Sequence, residues 1–312
     1  MSSLGPPQAS GIMSVPSPIA GVEDVLTPEL TDGQPPEDGV TRHKKLGLGF
    51  WLPVGWLMLI IILAAMAPIL PLPNPNAINS APKLGLSTHH LLGTDDLGRD
   101  IFSRVIFGAR VSLVVGFASV AMGLVVGGTL GLIAGFYGGL ADTALLTLAN
   151  VLLAYPSLVL ALAIIAFIGQ SLRNVVIVIA VLAVGPIILI VRANTLTFAQ
   201  RDFVLSARAL GAKGRRIIIR EILPNVIPAA VAFSCVGIGL AIVAEGSLAF
   251  LGLSVPLPTP TWGGMINEGK SVLQQAPGVS LWPALAMFVT VLSLNLAGDR
   301  LRAFFDIREG AL

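Results

Sequence analysis

Cysteine is almost absent from the 312-residue sequence: Cys235 stands alone inside an apolar run, so the chain can close no internal disulfide and offers no cysteine cluster to a metal. Histidine is nearly as scarce. His43, His89 and His90 are the three present, none paired at the i, i+4 spacing of a helical metal site, and they read as loop residues rather than ligands. Charge is the third scarcity. Only 12% of residues are Asp, Glu, Lys or Arg, against 54% hydrophobic and a mean hydropathy of +0.86, more apolar material than a soluble core of this length needs. Lipid is therefore the expected solvent. The net charge of +2 gives no ground for nucleic acid as a partner.

Residues 1–41 contain no Lys or Arg, are rich in Pro, Gly and Ser, and carry Glu23, Asp24, Glu29, Asp32, Glu37 and Asp38. Such a stretch cannot bury enough apolar area to fold, so residues 1–45 are expected to form a disordered tail. The basic residues Arg42, Lys44 and Lys45 then precede an uncharged run from Phe50 to Leu70, long enough to cross about 30 Å of hydrocarbon. The run is too long and too far from the N-terminus for a cleaved signal, and it passes into Pro68, Pro71, Pro73 and Pro75 without a small-residue cleavage pattern. It reads as a first membrane span.

Five further spans are expected at Ser112–Gly135, Ala141–Gly169, Val175–Val191, Val226–Leu251 and Leu281–Ala297, each bounded by charge, proline or glycine. The predicted fold is all-α with six transmembrane helices. Six crossings put both termini on one side, together with thirteen of the nineteen Lys and Arg residues; Lys83, Arg99, Arg104, Arg110, Arg173 and Lys270 fall on the other. This bias predicts cytoplasmic termini. The expected divisions are a first span with an external segment over 46–111, a core over 112–308 with a cytoplasmic loop at 195–225, and a short C-terminal tail at 309–312.

Within the second span, Ser119, Gly123, Gly127, Gly131, Gly135 and Gly139 recur at every fourth position. Such a ridge lets a neighbouring helix backbone approach closely, and it can either fix packing or permit sliding. Trp262 and Trp282 read as interface anchors. Glu245 is the sole ionisable residue between Ile222 and Leu251. Immersing it would cost on the order of 2.5 to 3.5 kcal/mol at mid-bilayer, so it is assigned to the translocation pathway or a subunit contact.

One catalytic pattern requires a decision, since Gly264, Gly269, Lys270 and Ser271 fit the phosphate loop G-x-x-x-x-G-K-S without mismatch. A working phosphate loop leaves a buried strand and opens a helix whose amides hold the phosphates. Here Pro256, Pro258 and Pro260 lie upstream, and Pro277 and Gly278 leave little room downstream. The match reads as chance, and no catalytic residue is assigned.

The cytoplasmic stretch Arg201–Asn225, RDFVLSARALGAKGRRIIIREILPN, carries more information. Asp202 can cap a short helix that Gly211 or Gly214 ends in a left-handed turn. Ser206, Ala207 and Ala209 would allow a close fit into a partner's groove, with Arg208, Lys213, Arg215 and Arg216 meeting its rim. A basic loop that merely fixes topology is the plainer reading.

That stretch resembles the "EAA" coupling motif of ABC-importer permeases, with Ala207, Gly211, Ile222, Leu223 and Pro224 at matching positions. Leu205 stands where the motif has glutamate, and Ser206 replaces its first alanine. Leu92–Arg104, LGTDDLGRDIFSR, and Glu245–Gly264, EGSLAFLGLSVPLPTPTWGG, are similar to two elements of the dipeptide, oligopeptide and nickel branch, specifically its C-type subunit. The likeness spans about residues 45 to 308, and it absorbs the phosphate-loop match into a W-G-x-M-x-x-x-G element.

The resemblance implies a type I ABC-importer permease fold in a bacterial plasma membrane. It implies a related B-type permease as heterodimer partner, two cytoplasmic ATP-binding subunits and an external solute-binding protein. ATP and Mg would sit on the ATPase subunits, with no cofactor or metal in this chain. Leu205, Ser206, Ala207, Arg208, Ala209, Leu210, Gly211 and Ala212 would form the ATPase-coupling element. Asp95, Arg99 and Asp100, with Asp96, read as a capped, ion-paired external turn or a contact for the binding protein. The expected cargo is a dipeptide or longer peptide, with glutathione and nickel complexes as alternatives in the same family. A secondary carrier driven by an ion gradient is the rival class, and it would need ionisable groups at mid-membrane, where Glu245 is the sole strong candidate.

Overall fold

A computed structural model describes residues 47–78 and 80–309, with side chains described through residue 305. The expected tail over residues 1–45 and the C-terminal tail beyond residue 309 lie outside the described residues. Among the described residues ten α-helices follow one another: α1 (Leu48–Met66), α2 (Ile101–Tyr137), α3 (Gly139–Ala154), α4 (Ser157–Ile168), α5 (Leu172–Ala199), α6 (Asp202–Ala209), α7 (Gly214–Ile217), α8 (Leu223–Phe250), α9 (Trp262–Gly269) and α10 (Gly278–Glu309). A π-helical turn, Ile218–Ile222, joins α7 to α8, so the helix runs unbroken from Gly214 to Phe250.

Five of these elements are long and apolar enough to cross a membrane: α1, α2, α5, the joined α7–α8 and α10. The sixth expected span is not one straight helix. Between α3 and α4 the axis turns by 89° at Tyr155–Pro156. Pro156 supplies no N–H and bars the preceding residue from helical geometry, and Tyr155 accordingly sits at φ −91°, ψ 140°. At 1.5 Å per residue, α3 and α4 reach only about 24 Å and 18 Å, each short of the bilayer core.

The spans also outrun their expected limits. α2 begins at Ile101 rather than Ser112, because the Asp100 carboxylate accepts from the Ser103 N–H at 2.7 Å and caps the helix there. Its 37 residues extend over about 55 Å, well beyond the thickness of the hydrocarbon. Charge in this case marked the edge of the lipid-exposed stretch and not the end of the helix.

α2 and α5 pack backbone to backbone along the glycine ridge. A Cβ built on Gly127 would lie 2.8 Å from the Val184 carbonyl oxygen, and one on Gly131 2.8 Å from that of Ile188. At Gly135 it would meet the Thr195 Cβ at 2.6 Å. The Ser119 hydroxyl extends the seam by donating to the Val176 carbonyl at 3.0 Å. The ridge stops there: Gly139 belongs to the turn into α3, with nothing within 4 Å of an added Cβ. Across the other face of α5, Arg192 forks onto Asp142 of α3, its Nη2 donating to Oδ2 at 2.7 Å.

Two apolar cores result. The larger joins α1, α2, α4, α5, α8, α9 and α10. The smaller, built on Ile187, Val191, Phe198, Val204, Ile217, Ile222, Val226 and Ala230, lies where α5 and α8 meet α6 and α7.

Candidate functional site

The segment between α5 and α8 is short, capped and anchored from below. α6 starts after Arg201, and Asp202 occupies its first turn instead of capping it, correcting the expected capping role. A carboxylate there still favours the positive end of the helix dipole. The C-terminus closes as a Schellman turn: the Ala212 N–H donates to the Ala207 carbonyl at 3.0 Å, and the Gly211 N–H to that of Arg208 at 2.9 Å. Gly211 makes this possible at φ +77°.

Val204 is fully buried in the smaller core and fastens α6 to α5 and α8. Complete burial of such a side chain is worth about 1.5 to 3 kcal/mol. Ala207 and Ala212 pack against the same core, half-buried. The remaining expected coupling positions, Leu205, Ser206, Arg208, Ala209, Leu210 and Gly211, are exposed. Leu210 is 87% exposed and Leu205 49%, an unusual display of apolar surface beside Lys213, Arg215 and Arg216. The Arg208 guanidinium lies 5.0 Å over the Phe136 ring at the end of α2, so α6 also touches the long helix.

At the opposite end of α2, buried charges converge. Arg99 Nε donates to Asp95 Oδ2 at 2.6 Å, while Arg99 Nη2 and Arg104 Nη2 both donate to Glu268 Oε2 at 2.7 Å. Asp95 also accepts from the backbone N–H groups of Leu97 and Arg99 at 2.9 Å. Asp100 shares its carboxylate between the helix cap and His90 Nδ1, 2.9 Å away. The expected ion-paired turn is therefore part of a larger network linking the 80–100 segment, α2 and α9. Asp95, Arg99 and Asp100 are each at most 5% exposed, which places them beneath the surface.

Glu245 lies 0% exposed within the chain. Ser254 donates to Oε1 at 2.8 Å and Ser112 to Oε2 at 3.3 Å. The Ser112 oxygen in turn accepts from the Trp262 backbone N–H at 3.2 Å. Trp262 is likewise fully buried, its indole N–H donating to the Val105 carbonyl at 3.0 Å; it locks α9 to α2 and is no interface anchor. Glu245 thus ties α8, α2 and the α8–α9 loop together.

The residues of the phosphate-loop pattern are helical. Gly264 and Gly269 lie in α9, Lys270 and Ser271 in the 3₁₀ turn that follows, and the Gly264 N–H donates to Thr261 Oγ1 at 2.9 Å. Lys270 Nζ sits 4.7 Å over the Phe250 ring. Among the described residues, no three His, Cys, Asp or Glu side chains gather closely enough to hold a metal ion. A cavity of about 360 Å³ opens between α2, α4, α5 and α8, lined chiefly by apolar groups including Val120, Ala161, Ile179, Pro186 and Phe233.

Sequence reasoning missed Glu268, Ser112 and Ser254. Glu268 meets its partners across 164 and 169 positions, a separation for which no spacing rule exists.

Comparison with known proteins adds lineage to this geometry. Residues 127–309 match the family described as Binding-protein-dependent transport system inner membrane component. The glutathione transport system permease protein GsiD of Pectobacterium atrosepticum is 44% identical over 222 residues, 71% of this chain and 74% of the relative. The dipeptide transport system permease protein DppC of Alkalihalophilus pseudofirmus is 38% identical over 292 residues, covering 90% of this chain and 96% of the relative. In a solved structure of inward-facing conformations of the MetNI methionine ABC transporter, one chain superposes with a TM-score of 0.55 at 20% identity, over 64% of this chain and 96% of that one. The fold is that of a type I ABC-importer permease.

Proposed function

Because the chain belongs to the family of binding-protein-dependent transport system inner membrane components, and is an ABC-importer permease of the peptide and glutathione type, we propose that it couples ATP hydrolysis by partner subunits to import of short peptides. The observation that carries this reading is α6. It is a capped two-turn helix, fastened at Val204, with Leu205, Ser206, Ala209 and Leu210 turned outward beside a cluster of basic residues.

In this reading α6 seats in a groove of a cytoplasmic ATPase subunit, one for this chain and one for a related B-type permease. Both termini lie in the cytoplasm of a bacterial inner membrane, and ATP and Mg are held by the ATPase subunits. An external binding protein delivers the solute. Work is transmitted because α6 docks with different energy in the two nucleotide states of its partner. Rigid helices then carry the displacement: α6 contacts α5 and α8 through the smaller core and α2 through Arg208 on Phe136. Glutathione and dipeptides share a free α-amino group, a carboxylate and a peptide backbone, so short peptides are the cargo that the relatives' names have in common.

Proteoliposomes holding this chain, its partner permease and both ATPases test the reading. Labelled dipeptide or glutathione should accumulate when the binding protein and ATP are supplied. Accumulation driven by an ion gradient without ATPase subunits would replace it with the carrier reading.

A further inference from the structure

Arg110 is the one charged residue of α2 that projects from the bundle near the start of its apolar stretch. The other early arginine, Arg104, is 1% exposed and bonded to Glu268, whereas Arg110 is exposed and forms no ion pair among the described residues. From Val111 to Ala141 the sequence holds no charge, so Arg110 stands at the point where the helix enters hydrocarbon. A guanidinium at that depth requires an anion or water.

Two adjoining cavities share Arg110 and Val114. One, about 810 Å³, lies towards the outer end and is bordered by the loop after α1, with the exposed Asn74, Asn76 and Thr259. The other, about 530 Å³, continues inward along the seam of α1 and α2, between Ile61, Ala64, Ala65, Leu113 and Phe117, with no polar group besides Arg110. Arg110 is therefore the junction of an outer pocket, mainly apolar but carrying Asn74, Asn76 and Thr259, and a wholly apolar groove on the flank of the bundle. A cation flanked on one side by the few polar groups of the outer pocket and on the other by uninterrupted hydrocarbon matches a phospholipid's phosphate between headgroup and acyl chain.

We propose that this groove holds one anionic phospholipid, its phosphate against Arg110 and one acyl chain along Ile61, Leu113 and Phe117. The headgroup hydroxyls meet Asn74, Asn76 and Thr259. The lipid covers the seam between α1 and α2 and neutralises a cation that no side chain among the described residues pairs.

Native mass spectrometry of the full-length chain, purified in mild detergent and given phosphatidylglycerol, tests the site. The wild type and Arg110→Lys should each retain one bound phosphatidylglycerol. Arg110→Ala should lose it by about fivefold in affinity, the effect of one basic residue on an anionic lipid. Val114→Trp, which fills the groove and keeps the charge, should lose it as well. Equal retention by wild type and Arg110→Ala overturns the proposal. A photo-crosslinker at position 117 that captures a polypeptide in place of lipid in native membranes also overturns it.

Discussion

Arg104 and Glu268, 164 positions apart in sequence, are joined by a 2.7 Å bond from Nη2 to Oε2, with the arginine 1% exposed. The bond pins α9 to the first turn of α2, and Arg99 donates to the same oxygen. Its value depends on both partners being present, since without Glu268 two buried guanidiniums are left to share Asp95 alone.

Glu268→Ala should therefore destabilise the protein by about 3 to 5 kcal/mol. Glu268→Gln, which keeps an acceptor for both arginines, should cost less. Thermal unfolding in detergent, followed by tryptophan fluorescence, ranks the two. Equal stability of Glu268→Ala and the wild type would show that the network does not hold α9.

Along the glycine ridge, position matters more than residue type. Gly127→Ala puts a Cβ 2.8 Å from the Val184 carbonyl and should cost about 1 to 3 kcal/mol through overpacking of α2 on α5. Gly128→Ala meets nothing closer than Leu124 Cδ1 at 3.9 Å and should be neutral or stabilising by up to about 1 kcal/mol, because alanine favours helix. The same unfolding measurement separates the neighbours.

Removing the Glu245 carboxyl leaves the buried Ser112 and Ser254 hydroxyls without their acceptor. Glu245→Ala should cost about 1 to 3 kcal/mol and Glu245→Gln much less. If the side chain serves only this tie, import by the Gln variant stays near the wild-type rate in the reconstituted system.

Gly211 sits at φ +77° with open space around an added Cβ, so its replacement is strained by conformation and not by collision. Gly211→Val should cost about 1 to 2 kcal/mol, unwind the end of α6 and reduce import at least tenfold while the complex still assembles. Gly211→Asn, tolerated in left-handed geometry, should restore most activity. Transport and ATP hydrolysis measured on the same proteoliposomes give the ratio that reports uncoupling.

Much of this architecture was readable from the chain because lipid imposes long uncharged runs, and five of the expected spans have single helical counterparts. The third, Ala141–Gly169, is broken at Pro156, whose effect on Tyr155 bends an apolar stretch that composition alone read as continuous. Helix ends were misplaced wherever a helix continued past the membrane, as α2 does from Ser112 back to Asp100. The short helix α6 and its Gly211 turn were legible because capping is local, although Arg201 rather than Asp202 proved to be the cap position. Glu245 stood out as an isolated carboxyl, but its burial was not legible, since the two hydroxyls that meet it come from residues 9 and 133 positions away. Trp262 misled for the same reason: the carbonyl that its indole N–H reaches lies 157 positions back.

The central claim is that α6 is the cytoplasmic surface on which an ATPase subunit acts. Cysteine accessibility and cross-linking test it most directly, in a Cys235→Ala background carrying either Ser206→Cys or, at the exposed Leu97 near the other end of α2, Leu97→Cys. The account predicts that a membrane-impermeant thiol reagent added to intact cells labels only the Leu97→Cys protein, and that a short bifunctional reagent joins the Ser206→Cys protein to the ATPase subunit with a yield that changes on adding ATP. Labelling of the Ser206→Cys protein from outside, or no cross-link in either nucleotide state, would contradict it.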